Sequence, residues 1–252
     1  MDWVEEFYSK QQSWSNGYTS EITNTDKQKV NILKKLVGKP PRKILELGAG
    51  GGQFAVAAAN QGYEVTAIEL IDTGIKHMKS LVEKRENLKG NLNIIKGDFY
   101  EVDLAINFDT ICYWDSFGIG TDEDQQRLLK RIENWLIPEG TALIDIYTPW
   151  YWANAAGEKM EFGEYKRKYN FDARDCKMLD TWWPKDNKNQ KTTQELRCYS
   201  PADLELLLQD ISLEIKSIKV GGALNYETME YREQVPLQEA MSYMANLKKQ
   251  NN

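Results

Sequence analysis

The feature that most constrains what this chain can fold into is a repeated change of hydrophobic period between Lys43 and Tyr147. Short apolar runs at Lys43–Leu47, Tyr63–Glu69, Leu92–Ile95, Phe108–Tyr113 and Thr141–Tyr147 read as buried strands. The segments Gln53–Gln61, Asp72–Glu86 and Asp122–Leu136 alternate with them and read as helices. The second carries Ile75, Met78 and Val82 along one side, and the third carries Leu128, Leu129, Ile132 and Trp135. Strands that alternate with helices need crossover connections, which give a parallel sheet covered on both faces.

The flanks read differently. The first residues are polar with scattered rings (Trp3, Phe7, Tyr8, Trp14, Tyr18) and predict a short helix followed by a loop. Thr25 with Gln28 has the form of a capping box ahead of a stripe of Val30, Leu33 and Val37, which Gly38 and Pro40-Pro41 stop. Beyond Thr148 the alternation ceases. Gly163–Phe171, Ala173–Trp183 and Lys191–Tyr199 read as antiparallel strands in a segment with ten aromatic residues between Tyr147 and Trp183. Ser200-Pro201-Ala202-Asp203 restarts a helix. Leu213–Val220 and Leu224–Arg232 read as strands of a hairpin through Gly221-Gly222, and Leu247–Asn252 as a frayed polar tail. The chain thus divides into an N-terminal helical lid (1–40), a core (41–147), a β-rich aromatic insertion (148–199) and a C-terminal part of the core (200–252).

Charge and composition narrow the function. The formal net charge is −6, which provides no basic footprint for nucleic acid. No stretch reaches the roughly 18–20 apolar residues of a membrane helix, and the start MDWVEEFYSK lacks the form of a signal peptide. A cytoplasmic location without membrane or nucleic-acid partners is expected. Cys112, Cys176 and Cys198 are far apart and predict neither disulfide nor metal site.

Chemistry concentrates in the loop Glu46-Leu47-Gly48-Ala49-Gly50-Gly51-Gly52, which comes after the first strand and opens a helix. Glycines there let the backbone turn sharply and let a ligand lie against it. The dinucleotide pattern G-x-G-x-x-G fails, because its third glycine falls on Gln53. Glu69 closes the second strand, where a carboxylate can bind both hydroxyls of a ribose. Gly97-Asp98-Phe99 succeeds the third strand, where an Asp can bond an adenine amino group while the ring covers the base.

The E-x-G-x-G-x-G loop, Glu69, Gly97-Asp98, the FDTICYWDSFG segment and the Leu136-Ile137-Pro138-Glu139-Gly140 turn occur in order from about Lys43 to Tyr147. Together they resemble the class I S-adenosylmethionine-dependent methyltransferases. That resemblance implies an α/β, Rossmann-like fold: a seven-stranded, mostly parallel sheet with an antiparallel last strand, here with the β-rich insertion after strand five. It implies S-adenosylmethionine as cofactor and S-adenosylhomocysteine as product. Glu46, Gly48, Gly50 and Gly52 would approach the methionine part. Glu69 would hold the ribose, Asp98 and Phe99 would contact the adenine, and Tyr113 and Trp114 would lie by the sulfonium. Ala49 and Leu70 are further expected cofactor contacts, and Tyr18 is one from an N-terminal segment folded over the cofactor.

The segment after strand four bears on the acceptor. Trp114-Asp115-Ser116-Phe117-Gly118 lacks the prolines of amino-methylating nucleic-acid enzymes, and His77, the one histidine, is expected on a helix surface. A small-molecule acceptor is expected, an amine of an aromatic or cationic metabolite. Asp115, Tyr147 and Glu164 are the candidate bases. Tyr8, Trp14, Ser116, Trp150, Trp152, Tyr165 and Arg197 are candidate substrate contacts. O- or C-methylation of a natural-product intermediate, and a non-catalytic cofactor-binding subunit, are the alternatives. A monomer or homodimer is expected.

Overall fold

The structure is a computed structural model that describes residues 2–15, 19–85, 87–115 and 117–250. Two helices, Asp2–Trp14 (α1) and Asn24–Val37 (α2), precede the sheet. Then come Lys43–Leu47 (β1), Gln53–Asn60 (α3), Glu64–Glu69 (β2), Asp72–Glu83 (α4), Asn91–Lys96 (β3), Phe108–Tyr113 (β4), Asp122–Trp135 (α5) and Leu136–Tyr147 (β5). The insertion comprises Pro149–Asn154 (α6), Lys159–Phe162 (β6), Tyr165–Asp172 (β7), Lys177–Pro184 (β8) and Thr192–Arg197 (β9). Pro201–Leu207 (α7), Leu213–Val220 (β10), Ala223–Asn225 (β11), Glu230–Arg232 (β12) and Ser242–Lys249 (β13) complete the chain.

Seven strands form one sheet in the order β10-β13-β5-β4-β1-β2-β3. The pairs from β3 to β5 are parallel, and β13 runs antiparallel to both β5 and β10. The strand period of two sorts side chains to the two faces. Leu45, Leu47, Ile111, Tyr113 and Ile144 join α5 and α7 in one core cluster. Ile44, Val65, Ala67, Cys112 and Leu143 join α2, α3 and α4 in the other. Burying one such aliphatic side chain stabilises by roughly 1.5–3 kcal/mol. The same parity assigns Glu46, Trp114 and Asp145 to the α2–α3 face.

Several expectations change. The last strand of the sheet is β13, so Leu247 is fully buried where a frayed tail was expected. Leu224–Arg232 does not extend the sheet; it supplies the small hairpin β11–β12, and β10 pairs with β13 instead. The α2 capping box is Thr23 with Asp26, not Thr25 with Gln28. A carboxylate at the positive end of a helix outcompetes a neutral amide for that role. The Ser200 cap with Asp203 and the antiparallel insertion sheet β6-β7-β8-β9 agree with the sequence reading. Among the described residues no helix is long and apolar enough to cross a membrane.

Candidate functional site

The parallel strands end along one edge of the sheet, and chain order reverses between β1 and β4. The connections after those two strands diverge there, which leaves a crevice. A cavity of about 410 Å³ occupies it. Its floor is the β1–α3 loop and the ends of β2, β3 and β4, and α1 and α2 close it from the other side.

The loop and the second strand are bonded to each other. Gly50 has φ 55°, a conformation side chains rarely adopt, and its N–H donates to Glu69 Oε2 at 2.6 Å. Glu69 Oε1 accepts from the Ile71 N–H at 2.8 Å, just ahead of α4, where a carboxylate meets the positive helix end. Burial nevertheless pushes the Glu69 carboxyl up to about 7. Glu46 is 3% exposed, and its Oε2 has no hydrogen-bond partner. Burial raises its carboxyl to about 8, against the pull of Lys29. The Lys29 ammonium sits 5.1 Å from the centre of the Trp114 ring.

At the other end, Asp98 Oδ1 accepts from the Tyr100 N–H at 2.8 Å. The Phe99 and Tyr113 rings meet edge to face at 5.2 Å above Gly48, where a Cβ would come within 3.8 Å of both. Asp115 lies just beyond β4 in a left-handed conformation, φ 64°. Its Oδ1 accepts from the Tyr147 hydroxyl at 2.5 Å. Burial, then the charge of Asp115, holds the Tyr147 phenol well above its ordinary range. From α1, Val4, Tyr8 and Gln12 reach the cavity, and Tyr8 Oη accepts from Gln194 Nε2 of β9 at 2.6 Å.

Of the residues singled out from sequence, the cavity brings together Glu46, Gly48, Ala49, Gly50, Glu69 and Leu70 with Asp98, Phe99, Tyr113, Trp114, Asp115 and Tyr8. Tyr147 touches it through Asp115. Gly52 does not line it: a Cβ there would lie 2.2 Å from Met78 Cγ, so this glycine makes room for α4. Trp14, at the end of α1, is not part of the lining either.

The insertion residues are the main correction. Trp150 and Trp152 turn their indole N–H groups to the carbonyls of Leu237 and Met241, because an indole N–H turned away from water needs an acceptor. Tyr165 stacks on Trp182 at 4.8 Å. Glu164 is exposed in the turn between β6 and β7. Arg197 pairs with Asp122 at 3.2 Å and covers Tyr199. Tyr18 and Ser116 lie outside the described residues.

Residues 44–140 match the family model described as a methyltransferase domain. Those residues thus form a methyltransferase domain. An uncharacterized methyltransferase, OB1106 of Oceanobacillus iheyensis, is 30% identical over 143 residues, covering 54% of this chain and 64% of that one. The chain therefore spans less than two thirds of that relative's length. The fold resembles the CcbJ methyltransferase of Streptomyces caelestis, with TM-score 0.74 and 16% identity over 99% of this chain and 97% of that one. It also resembles a Burkholderia thailandensis 1,6-didemethyltoxoflavin-N1-methyltransferase solved with that compound and S-adenosylhomocysteine bound. There the TM-score is 0.59 and the identity 15%, over 99% of this chain and 86% of that one.

Sequence reasoning missed Lys29, Asp26 and Gln12, which line the cavity from the N-terminal helices. The spacing of Asp26 and Lys29, three apart on α2, puts them on one helix face, but nothing local says that this face meets β1. Gln53, which breaks the dinucleotide pattern, also lines the cavity and donates from Nε2 to the Ser20 carbonyl at 3.2 Å.

Proposed function

We propose that this methyltransferase domain holds S-adenosylmethionine in the cavity and directs its methyl group to an amine nitrogen of a small aromatic or cationic metabolite. When bound, that cofactor supplies an electrophilic methyl on a sulfonium. The residues present fit it. The unpartnered Glu46 Oε2 is an acceptor open to a donor such as an ammonium. The Glu69 oxygens accept the backbone N–H groups of Gly50 and Ile71, and a carboxylate has about four lone-pair sites, so acceptor capacity remains for a ribose hydroxyl. Asp98 and the Phe99 ring would receive the adenine, Tyr113 and Trp114 would border the sulfonium, and Ala49 and Leu70 would line the path between.

The observation that carries the acceptor reading is the Asp115–Tyr147 pair. Asp115 is a carboxylate held toward the cavity by its backbone conformation and by a phenol that donates to it. Its charge attracts a protonated amine and holds the nitrogen in line, and its other oxygen, Oδ2, takes the proton the nitrogen gives up. The one histidine, His77, lies on α4 with Nδ1 at 2.8 Å from the Gly51 carbonyl, and it is not among the cavity-lining residues. A nitrogen nucleophile makes no demand for a strong base. The roof formed by α1 over the cavity favours a small acceptor that can be enclosed.

The test is transfer of labelled methyl from S-adenosylmethionine into a fractionated metabolite extract, with the product's methyl assigned by NMR. An N-methyl product that vanishes with Asp115→Asn is expected. Label in an O- or C-methyl product would move the reading to those chemistries, and label only in protein or nucleic acid would overturn it.

A further inference from the structure

The amino-acid end of S-adenosylmethionine is a zwitterion, and the cavity offers one buried acceptor near that end, Glu46. Nothing in the motif-bearing loops offers a cation for the carboxylate. The cation comes from outside the motif. Lys29 of α2 lines the cavity and is placed over the Trp114 ring, 5.1 Å from its centre. It lies close enough to Glu46 to lower that carboxyl against a large burial penalty. Its ammonium makes no hydrogen bond or ion pair within 4 Å to the described residues. The aromatic face occupies one side only, which leaves N–H donors on the other for a ligand.

We propose that Lys29 is the carboxylate anchor of the cofactor's amino-acid end, facing the ammonium acceptor Glu46. This inference rests on the reading that S-adenosylmethionine occupies the cavity. Charge order supports it. The strand period sends Glu46 and Trp114 to the α2–α3 face, and the Thr23 cap starts α2 where Lys29, one turn in, faces them. A negative group, a positive group and an indole face then line the same cavity, the charge complement of an α-amino acid. Trp114 Nε1 is itself buried without a partner, which marks the same end of the cavity as built for a polar guest. An ammonium bonded to a carboxylate in a partly enclosed site is worth about 1.5–3 kcal/mol, or roughly 10- to 150-fold in affinity.

The experiment compares two ligands on the ligand-free protein by calorimetry. S-adenosylhomocysteine carries the amino-acid end, and 5′-deoxy-5′-methylthioadenosine is the same nucleoside thioether without it. Lys29→Met should weaken S-adenosylhomocysteine by at least tenfold and change methylthioadenosine by less than twofold, and Lys29→Arg should restore most of the loss. Unchanged S-adenosylhomocysteine affinity, or an equal loss for both ligands, would overturn the assignment. Retained binding of methylthioadenosine shows that the variant is folded. If the wild-type chain bound neither ligand, the cofactor reading would fall, and this inference with it; binding by wild type without a Lys29 effect would overturn this inference alone.

Discussion

The floor and the roof of the cavity are built by opposite rules. The floor is a glycine loop and the ends of three strands, each fixed by contacts with its sequence neighbours or with the adjacent strand. Gly50 bonds Glu69, Glu69 bonds Ile71, and Asp98 bonds Tyr100. The roof is α1 and α2, tied to the rest by partners far away in sequence, as Tyr8 is by Gln194. The insertion beside it spends most of its rings on itself: Phe162 on Tyr165, Tyr165 on Trp182, and Arg167 between Tyr169 and Trp182 while paired with buried Asp180. A dense aromatic segment is therefore a core of its own first and a pocket wall second.

The largest expected effect tests where chemistry sits. Asp115→Asn should lower kcat by roughly 10²- to 10³-fold with S-adenosylhomocysteine affinity unchanged, measured by initial rates and calorimetry. Glu164→Gln in the insertion turn should change neither. A comparable loss at Glu164 would break the division between the floor and the insertion.

Next come two glycines at positive φ, one on each side of the comparison. Gly52→Ala forces a Cβ onto Met78 at φ 80° and should cost about 3 kcal/mol in chemical denaturation. Gly163→Ala, at φ 45° with nothing within 4 Å, should cost about 1 kcal/mol, the backbone strain alone.

Acidity sharpens the floor further. Burial raises the carboxyls of Glu46 and Glu69 from 4.5 to about 8 and about 7. A raised folded-state value means that the stability is full below about 4.5 and is lost as pH rises through 7 and then 8. Glu46→Gln removes the first of these penalties. Its stability relative to wild type should therefore increase between pH 6 and pH 8.5, by on the order of 2 kcal/mol. Saturating S-adenosylhomocysteine, which gives Glu46 a partner, should shrink that difference. A pH-independent difference would show that Glu46 stays ionised. The smallest effect is expected at the roof. Gln194→Ala should raise KM by only about threefold, the loss of one neutral hydrogen bond, leaving kcat unchanged in steady-state kinetics.

The floor was legible in the sequence for a physical reason: a strand–loop–helix turn is a local object, and its glycines, Glu69 and Asp98 act within a few residues or one strand of their partners. The parallel sheet was legible as well, since buried parallel strands leave few arrangements. The last strand was not, because Lys248 and Lys249 suggest a solvated tail. Yet Tyr243, Ala245 and Leu247 alternate inward, a signal of period two. The rings of α6 were not legible because their orientation depends on carbonyls of Leu237 and Met241, far along the chain. Lys29 left no local signal at all, because its role arises where α2 lands on the sheet.

The most direct test of the central claim is calorimetric binding of S-adenosylhomocysteine and NAD⁺ to the wild-type chain and to Glu69→Ala. Glu69 would bond a ribose hydroxyl, such a charged hydrogen bond being worth about 1.5–3 kcal/mol. Micromolar S-adenosylhomocysteine binding by wild type, no binding of NAD⁺, and a loss of roughly 100-fold in the variant with its fold retained are the expected results. Equal affinity in the two proteins, or tighter binding of NAD⁺ than of S-adenosylhomocysteine, would contradict a cofactor site built on Glu69.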